Sequence, residues 1–445
     1  MTAGKVAKRI ASALAVVVLA GLVPAGCGGG SGKPEALAGR GGPVVDRAAP
    51  HRRPRASAAV ARLQRALARS LRAAGTSTGA SVLDLTAGTQ LFSVRAGVRR
   101  PPASVEKLYT TFALLRRLGA QAQLHTRVLA TGHLGRGGIW HGNLYLRGGG
   151  DPTFGDRAFQ RVWYLGYGAS VTDLAGQLAG TGIRRVSGSV IADASLFDAG
   201  RGGPASGLAA DIPDFGGQLS ALTFDHGTTQ GLLSPGAFAA RQLVRTMRAM
   251  GIRARAAPGT AQAPGGAQRL AEVSSPPLPV LLDLMNVPSD DLFAEMLTKQ
   301  LGARFYGDGT IAAGAGAIED QVTQLGLHPR IVDGSGLSRR DASSPAQVVT
   351  LLQATWRTPT GRTLAASLPV VGQTGTVRRI GVGTAAQGRC VAKTGTLDAV
   401  TNLAGLCHSR GGHTIAFAVF IDGPSNGVAL PWLSRAVAAI ARYRP

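Results

Sequence analysis

Apolar residues recur at helical spacing at two places in the first 120 positions. The first stripe lies in 57–74, and it consists of Val60, Leu63, Leu67 and Leu71. The second predicts a helix that starts near Ala103 and ends at Gly119. Between them, ASVLDL (80–85) and QLFSVRA (90–96) flank the turn TAGT, which predicts a β-hairpin.

The stretch from about 126 to 278 has a different pattern of apolar and polar residues. Short alternating segments such as GNLYLRG (142–148) and GSVIAD (188–193) are separated by Gly-rich turns, which is typical of short strands. The segment 256–279 is rich in Pro, Ala and Gly, which predicts that the chain leaves this middle unit through it.

Helical spacing resumes in 279–302, and strand-like segments follow before a final Ala-rich helix. These segments are AKTGT (392–396), TNLAGLC (401–407) and TIAFAVFID (414–422). The pattern predicts an α/β (α+β) domain with helices around an antiparallel sheet, made of 57–125 and 279–445. A β-rich inserted domain at 126–278 would interrupt it.

The charge of the chain favours an anionic partner. Forty-eight basic and 24 acidic residues give a net charge of +24, which suits nucleic acid, anionic lipid or an anionic cell-wall polymer. The alternative is a coding bias, because arginine replaces lysine and Ala and Gly are abundant. No basic helix interleaved with aromatic residues occurs, so we expect no nucleic-acid partner. A P-loop is excluded, because no Gly-Lys-Ser/Thr follows GGGDP (148–152).

The first 27 residues have the form of an export signal. Lys5, Lys8 and Arg9 precede an apolar run over 10–23, and small residues follow. Cys27 suits a lipoprotein cleavage site, with lipid on its thiol as a membrane tether, and cleavage after Ala25 is the alternative. Residues 28–56 read as a flexible linker. We therefore expect an exported protein, in the periplasm or at the outer face of the membrane or cell wall.

The other two cysteines, Cys390 and Cys407, flank the AKTGT segment. If RCVAKTG and NLAGLCHS pair as antiparallel strands, a register that pairs 395 with 402 also pairs 390 with 407. A cross-strand disulfide would suit an oxidising compartment. The alternative is two buried free thiols.

The use of lysine singles out candidate catalytic residues. The chain has six Lys against 42 Arg, and beyond position 56 only Lys107, Lys299 and Lys393 remain. Ser104 precedes Lys107 by three positions near a helix start, which puts both side chains on one face. A neutral lysine amine can take the proton of a serine hydroxyl, whereas arginine stays protonated.

The second candidate lysine lies in Lys393-Thr394-Gly395, on a predicted strand. A Gly on a strand edge lets a substrate lie flat, while Lys and Thr can bind a carboxylate. Between the two lysine motifs, Ser289-Asp290-Asp291 precedes a helix. Three such motifs in this order are typical of serine acyltransferases that bind penicillin.

The chain resembles the D-alanyl-D-alanine carboxypeptidases/endopeptidases of the low-molecular-mass class C penicillin-binding proteins, peptidase family S13. The resemblance runs from about 80 to 425. The stretches that carry it are RRPPASVEKLYTT, LYLRGGGDPTF, SPPLPVLLDLMNVPSDDLFAEMLTKQLG, DGSGLSRRDASSP and GRCVAKTGTLDAVTNLAGL. It implies a serine β-lactamase/transpeptidase-like fold. The family also inserts one or two extra domains between the first two motifs.

The resemblance implies a role for each motif residue. Ser104 would be the acylated nucleophile, Lys107 its base, and Ser289 the relay of a proton to the leaving D-alanine. Lys393 and Thr394 would bind the terminal carboxylate with help from Thr396. The backbone N–H groups of Ser104 and Thr396 would form the oxyanion hole. Asp333 and Ser335 resemble a family motif near the cleft, without an assigned chemical step.

Asp291 departs from the family pattern, which usually has Asn. Asn can donate a hydrogen bond to a substrate carbonyl, whereas ionised Asp can only accept one. A carboxylate between Lys107 and Lys393 favours their charged forms, which is unhelpful for Lys107 as a base. Lower activity or a purely positioning role of Asp291 is therefore expected.

Other polar and aromatic residues receive structural roles. His133 and His141 flank a Gly-rich turn, and no HExxH or Cys/His ligand spacing occurs, so we predict no metal and no cofactor. Lys299 is read as structural or solvent-facing. Trp163, Tyr164 and Tyr167 are read as packing of the inserted domain. The stretch GQTGTVRR (372–379) has Gln373 in place of lysine and is read as a look-alike of AKTGT.

The sequence thus predicts a serine-type D-Ala-D-Ala carboxypeptidase acting on peptidoglycan stem peptides, with β-lactams as covalent inhibitors. Two alternatives stay open. One is a β-lactamase or esterase on the same scaffold, which the large insert disfavours. The other is a weakly active or inactive homologue that binds cell-wall polymers or organises partners, which Asp291 favours.

Overall fold

The computed structural model describes residues 57–202, 217–229 and 233–445. The predicted export signal, the linker and Cys27 lie outside these residues. Within them, no helix combines the length and apolar character that crossing a bilayer requires.

The elements follow one another along the chain in a mixed order of strands and helices. The strands are β1 (Thr78–Asp84), β2 (Thr89–Val94), β3 (His125–Ala130), β4 (His133–Leu134), β5 (Ile139–His141), β6 (Leu144–Arg147), β7 (Arg185–Val186), β8 (Val190–Asp193), β9 (Ala256–Thr260), β10 (Gln268–Ser274), β11 (Cys390–Leu397), β12 (Val400–His408) and β13 (Thr414–Asp422). The helices are α1 (Ala58–Leu71), α2 (Lys107–Leu118), α3 (Arg157–Trp163), α4 (Val171–Gly180), α5 (Pro235–Ala249), α6 (Leu278–Asn286), α7 (Asp291–Phe305), α8 (Ile311–Thr323), α9 (Pro345–Thr355), α10 (Pro359–Ala366) and α11 (Asn426–Ala441).

The first sheet joins the two ends of the chain. Its five strands lie in the order β11-β12-β13-β1-β2, and every neighbouring pair is antiparallel. The predicted hairpin is the β1–β2 pair. Strand β11 is at the edge of the sheet, which leaves one side of its backbone available for other contacts.

Helices cover both faces of this sheet. Residues of β13 alternate between two cores, as the two-residue period of a strand requires. Ile415, Phe417 and Val419 pack with α1 and α11, whereas Ala418 and Phe420 pack with α2, α7 and α9. This arrangement confirms the predicted α/β fold with an antiparallel sheet flanked by helices.

The middle of the chain forms two further sheets. Their strand orders are β10-β3-β6-β8-β9 and β4-β5-β7, and the five-stranded sheet has a core of its own with α4 and α5. The β-rich reading of this region missed helices α3, α4 and α5. In α5 the apolar residues Phe238, Leu243, Val244 and Met247 are at helical spacing and buried, but they stand among arginines and alanines.

The segment 256–279 is not simply an exit from the middle region. It contributes β9 and β10, the two outer strands of the five-stranded sheet. Pro and Gly are tolerated there because edge strands have one unpaired side. That 126–278 folds as an independent domain stays a prediction.

Candidate active site

Ser104 lies in a strained turn at the start of α2. A 3₁₀ helix, Ala103–Glu106, leads directly into α2, and Ala103 has a φ of 47°. A non-glycine residue in this region of φ is uncommon and persists only where neighbours hold it. The Asn402 side chain does so here, because its Nδ2 donates to the carbonyl oxygens of Pro101 and Pro102 at 2.9 Å each.

Lys107 is fully buried, and its ammonium has three acceptors. Nζ lies 3.1 Å from Ser104 Oγ, 2.5 Å from Asp291 Oδ1 and 2.8 Å from the carbonyl oxygen of Ser335. Three acceptors match the three N–H groups of a charged lysine. Lys107 Nζ therefore lies within hydrogen-bond distance of the Ser104 hydroxyl and of the Asp291 carboxylate at the same time.

The turn that supplies the Ser335 carbonyl is held by two buried carboxyl groups. Asp333 accepts from the backbone N–H groups of Gly336 and Ser338 at 2.7 and 2.8 Å. Glu295, one turn along α7 from Asp291, accepts from Ser335 N at 3.0 Å. Burial and the nearby Asp333 raise the pKa of Glu295 to about 8. The DGSGLS motif thus acts on Lys107 through its backbone.

Asp291 is the charged partner of Lys107. Its carboxylate is buried on the first turn of α7, and burial raises its pKa while Lys107 opposes that rise. Burial also raises the pKa of Glu106 well above its ordinary value, so this neighbour tends to stay neutral. The ion pair expected from the Asp in place of Asn is present with Lys107. It does not extend to Lys393, whose Nζ donates to Ser289 and to the Thr394 carbonyl oxygen.

Ser289 and Lys393 form the other half of the site. Ser289 precedes α7 and has a φ of 70°, and Lys393 Nζ donates to its Oγ at 2.6 Å. Lys393 is fully buried, and burial followed by repulsion from Lys107 lowers its pKa well below the ordinary value. A substrate carboxylate would favour its charged form.

Strand β11 packs closely against the turn that carries Ser104. A Cβ built on Gly395 would lie 2.3 Å from the Pro102 carbonyl oxygen, so only glycine allows this approach. Thr394 is nearly buried, whereas Thr396 is exposed along the cleft. Beyond Ala392, none of the described residues forms a strand pairing with the outer edge of β11.

Two cysteines join β11 to its neighbour. The register pairs Gly395 with Asn402 and Cys390 with Cys407, as anticipated for antiparallel strands. Cys390 and Cys407 are linked by a disulfide with a Cα–Cα distance of 4.0 Å. The link fixes the start of the strand that carries Lys393.

The stretch read as a look-alike reaches the site. Thr376 of GQTGTVRR lies beside β11, and Thr394 Oγ1 donates to its Oγ1 at 2.8 Å. The Thr376 backbone N–H also donates to the carbonyl oxygen of Val287 at 3.2 Å, next to the Ser289 loop. From the sequence alone this stretch receives no role at the site, because it has Gln373 where the motif has lysine. The Thr-Gly-Thr core that it shares with AKTGT is the feature from which its place at the site could have been predicted.

An aromatic cavity of about 470 Å³ borders the site at Pro288 and Asp290. Tyr164 in its wall is buried against Phe293 of α7, whereas Trp163 and Tyr167 are 67% and 48% exposed. The predicted packing within the inserted domain is therefore wrong, because Tyr164 belongs to the core around α2 and α7 and the other two side chains are exposed. Asp290 also accepts from the N–H of Phe293 and pairs with His226 at 2.8 Å.

The remaining candidates lie away from the cleft. His133 and His141 stack on each other across β4 and β5, with ring centroids 5.4 Å apart. In the described part of the chain, no group of three or more His, Cys, Asp or Glu side chains is arranged to hold a metal ion. Lys299 is buried in α7 and paired with Asp198, so it is structural and does not face solvent.

Sequence comparison identifies the family. The D-Ala-D-Ala carboxypeptidase 3 (S13) family matches residues 59–236 and 231–442. The chain belongs to this family. The expected family and enzyme class, a serine-type D-Ala-D-Ala carboxypeptidase, are thereby confirmed.

Individual relatives cover most of the chain. A D-alanyl-D-alanine carboxypeptidase of Actinomadura sp. (strain R39) is 28% identical over 83% of this chain and 82% of its own length. Carboxypeptidase DacB of Mycolicibacterium smegmatis is 30% identical over 81% of this chain and 79% of its own. Penicillin-binding protein 4 (dacB) of Haemophilus influenzae matches in structure with a TM-score of 0.72 and 21% identity, over 85% of this chain and 99% of that one. This last match supports the fold.

Proposed function

We propose that this S13 carboxypeptidase is an exported, penicillin-sensitive enzyme that hydrolyses peptidoglycan stem peptides through an acyl-enzyme on Ser104. The observation that carries the proposal is the 3.1 Å contact between Lys107 Nζ and Ser104 Oγ in a buried site bordered by the open edge of β11. A nucleophile within hydrogen-bond reach of a base is the requirement for acyl transfer.

Acylation begins when Lys107 has lost a proton. Its neutral amine takes the Ser104 proton as Oγ bonds to the carbonyl carbon of the penultimate D-alanine. The negative charge on the carbonyl oxygen would meet the backbone N–H groups of Ser104 and Thr396, which act as preorganised donors.

The amide bond then breaks, and the leaving nitrogen needs a proton. Ser289 supplies it through its hydroxyl, and Lys393, 2.6 Å from Ser289 Oγ, can replace that proton. A free D-alanine leaves. Water then attacks the ester: its proton passes through Ser289 to Lys393, and Lys107 returns its proton to Ser104 Oγ as the shortened peptide leaves.

The terminal carboxylate of the substrate is assigned to Lys393, Thr394 and Thr396. Lys393 is held by Ser289 and by the Thr394 carbonyl at 3.1 Å, so its position is fixed before a substrate arrives. Thr396 lies exposed beside it on the same strand edge. A substrate lying along β11 would place its carbonyl over Ser104.

The names of relatives support the substrate class and the inhibitor. The relative from Actinomadura is named a D-alanyl-D-alanine carboxypeptidase, and the relative from Mycolicibacterium smegmatis is named a carboxypeptidase. A structure of the Haemophilus penicillin-binding protein 4 contains a β-lactam. The leader sequence supports export, with a lipid on Cys27 as one alternative. The proposed location is the periplasm or the outer face of the cytoplasmic membrane or cell wall.

One observation favours the second candidate, a weakly active or inactive cell-wall-binding homologue. The buried ion pair between Lys107 and Asp291 stabilises the ammonium, which is the inactive form of the base. The intact Ser104, Lys107 and Lys393 favour the active enzyme.

Labelling with a fluorescent penicillin tests the proposal. We expect one covalent label per chain, lost in Ser104→Ala and retained in Ser93→Ala, which alters an exposed serine on β2. D-alanine release from a D-Ala-D-Ala peptide then separates a peptidase from a β-lactamase or esterase. Folded protein without label would favour the binding homologue.

A further inference from the structure

A basic groove continues the site beyond Thr376. It has a volume of about 560 Å³ and lies between the 376–380 turn and α11; Thr376, Arg378, Arg379, Leu430, Pro431 and Ser434 line it. Because Thr376 also contacts Thr394 at 2.8 Å, the groove starts where the proposed function assigns the carboxylate of the leaving residue.

The groove has positive charge without acidic counterparts. Both arginines are exposed, and neither has an acidic partner within 4 Å among the described residues. Neither wall contributes a carboxylate, because 372–390 and 423–445 contain no Asp or Glu. Leu430 and Pro431 add apolar surface between the charges. This combination suits an acidic peptide, whose carboxylates can pair with guanidinium groups.

We propose that this groove binds the leaving half of a cross-linked stem peptide, with Arg378 and Arg379 pairing with its carboxylates. The proposal rests on the proposed function, and it concerns the leaving side of that same site. The reaction is unchanged, because Ser104 attacks the same carbonyl carbon and the same amide bond of the substrate breaks. The amine that departs belongs to an acidic peptide and not to free D-alanine. Arg378 and Arg379 would therefore determine how strongly the enzyme prefers an acidic peptide over free D-alanine as the leaving group.

Matched substrates isolate the contribution of the groove. Both substrates have the same acyl half, which is transferred to Ser104. In both, the leaving residue is a D-amino acid with a free α-carboxylate. The side-chain amine of this leaving residue carries Glu-Glu in one substrate and Gln-Gln in the other. At low salt we expect kcat/KM to favour the Glu-Glu substrate by about tenfold, mainly through KM. The preference should fall as ionic strength rises.

Two variants should remove this preference. In R378A/R379A the ratio should fall to about one, and in R378E/R379E the Gln-Gln substrate should be preferred. The control R65A/R69A removes the same charge from exposed positions of α1 and should keep the full ratio. Penicillin labelling of each variant checks that the Ser104 site is folded.

The outcomes distinguish the two proposals. An unchanged ratio in labelled R378A/R379A, or an equal loss in R65A/R69A, would overturn the groove and leave the carboxypeptidase function intact. Absence of both labelling and D-alanine release in the unaltered protein would overturn the proposed function and the groove with it.

Discussion

At the scale of single residues, the balance of charge at Lys107 decides the chemistry. A base must hold a lone pair, yet Asp291 lies 2.5 Å from Nζ and the Ser335 carbonyl 2.8 Å from it. Both acceptors favour the ammonium. Desolvation opposes them, because burial disfavours charge on either partner and raises the pKa of Asp291. The rate at which Lys107 activates Ser104 should therefore depend on the charge of residue 291.

Replacing Asp291 with Asn should speed penicillin acylation. The exchange removes the ionised partner of Lys107 Nζ, and an opposite charge favours the ammonium over the amine that Ser104 needs. Stopped-flow measurement of the acylation rate at about pH 7 tests this.

Asp291→Asn should also lower the free energy of unfolding, because it breaks a buried ion pair, an effect of about 3–5 kcal/mol in other proteins. Aspartate-to-asparagine exchange at Asp398, in the turn after β11, provides the matched control. An acylation rate identical to that of the unaltered chain would show that Asp291 does not control how readily Lys107 activates Ser104.

At the scale of elements, the site depends on how β11 docks against the turn that carries Ser104. The glycine at 395 permits the approach to Pro102, and Asn402 on the adjacent strand holds the turn by two hydrogen bonds. The distance between Ser104 and Lys393 is thus governed by backbone packing between two elements.

Gly395→Ala should impair acylation more than folding. The added methyl would meet the Pro102 oxygen at 2.3 Å, so β11 or the turn must move. We expect at least a tenfold slower penicillin acylation, with a stability loss of about 1–3 kcal/mol in denaturant titration. Gly176→Ala is the control: its Cβ meets nothing within 4 Å on exposed α4. Equal acylation in both variants would contradict the docking argument.

Elements with a clear period could be predicted from the sequence, whereas contacts made by loops could not. The register of β11 with β12 follows from two cysteines at compatible positions, and Ser104 and Lys107 follow from helical spacing. The contact of Thr376 with Thr394 depends on how a turn folds back onto a strand. The residue types in GQTGTVRR do not determine how this turn folds back, so its contact with β11 could not be predicted from the sequence.

At the scale of the whole molecule, the three lysines of the described residues have three different tasks. Lys107 and Lys393 hold the two halves of the site, while Lys299 links α7 to the middle region. Its Nζ pairs with Asp198, donates to the Gly200 carbonyl oxygen at 2.9 Å and lies 5.9 Å from the centre of the Phe197 ring. The helix that presents Asp291 and Glu295 is thereby joined to the segment that follows β8.

Lys299→Met should weaken this link without changing the chemistry. Methionine keeps much of the volume but leaves the buried Gly200 carbonyl without its donor, so we expect a loss of about 1–3 kcal/mol in unfolding free energy. Penicillin acylation at 25 °C should stay within about twofold, because Nζ contacts Asp198 and not the cleft. Asp198→Asn, which keeps the Gly200 bond and changes a side chain that is 39% exposed, should cost less. A stable Lys299→Met would mean that α7 is positioned by other contacts, and a variant that folds normally but acylates slowly would mean that Lys299 also affects the Ser104 site.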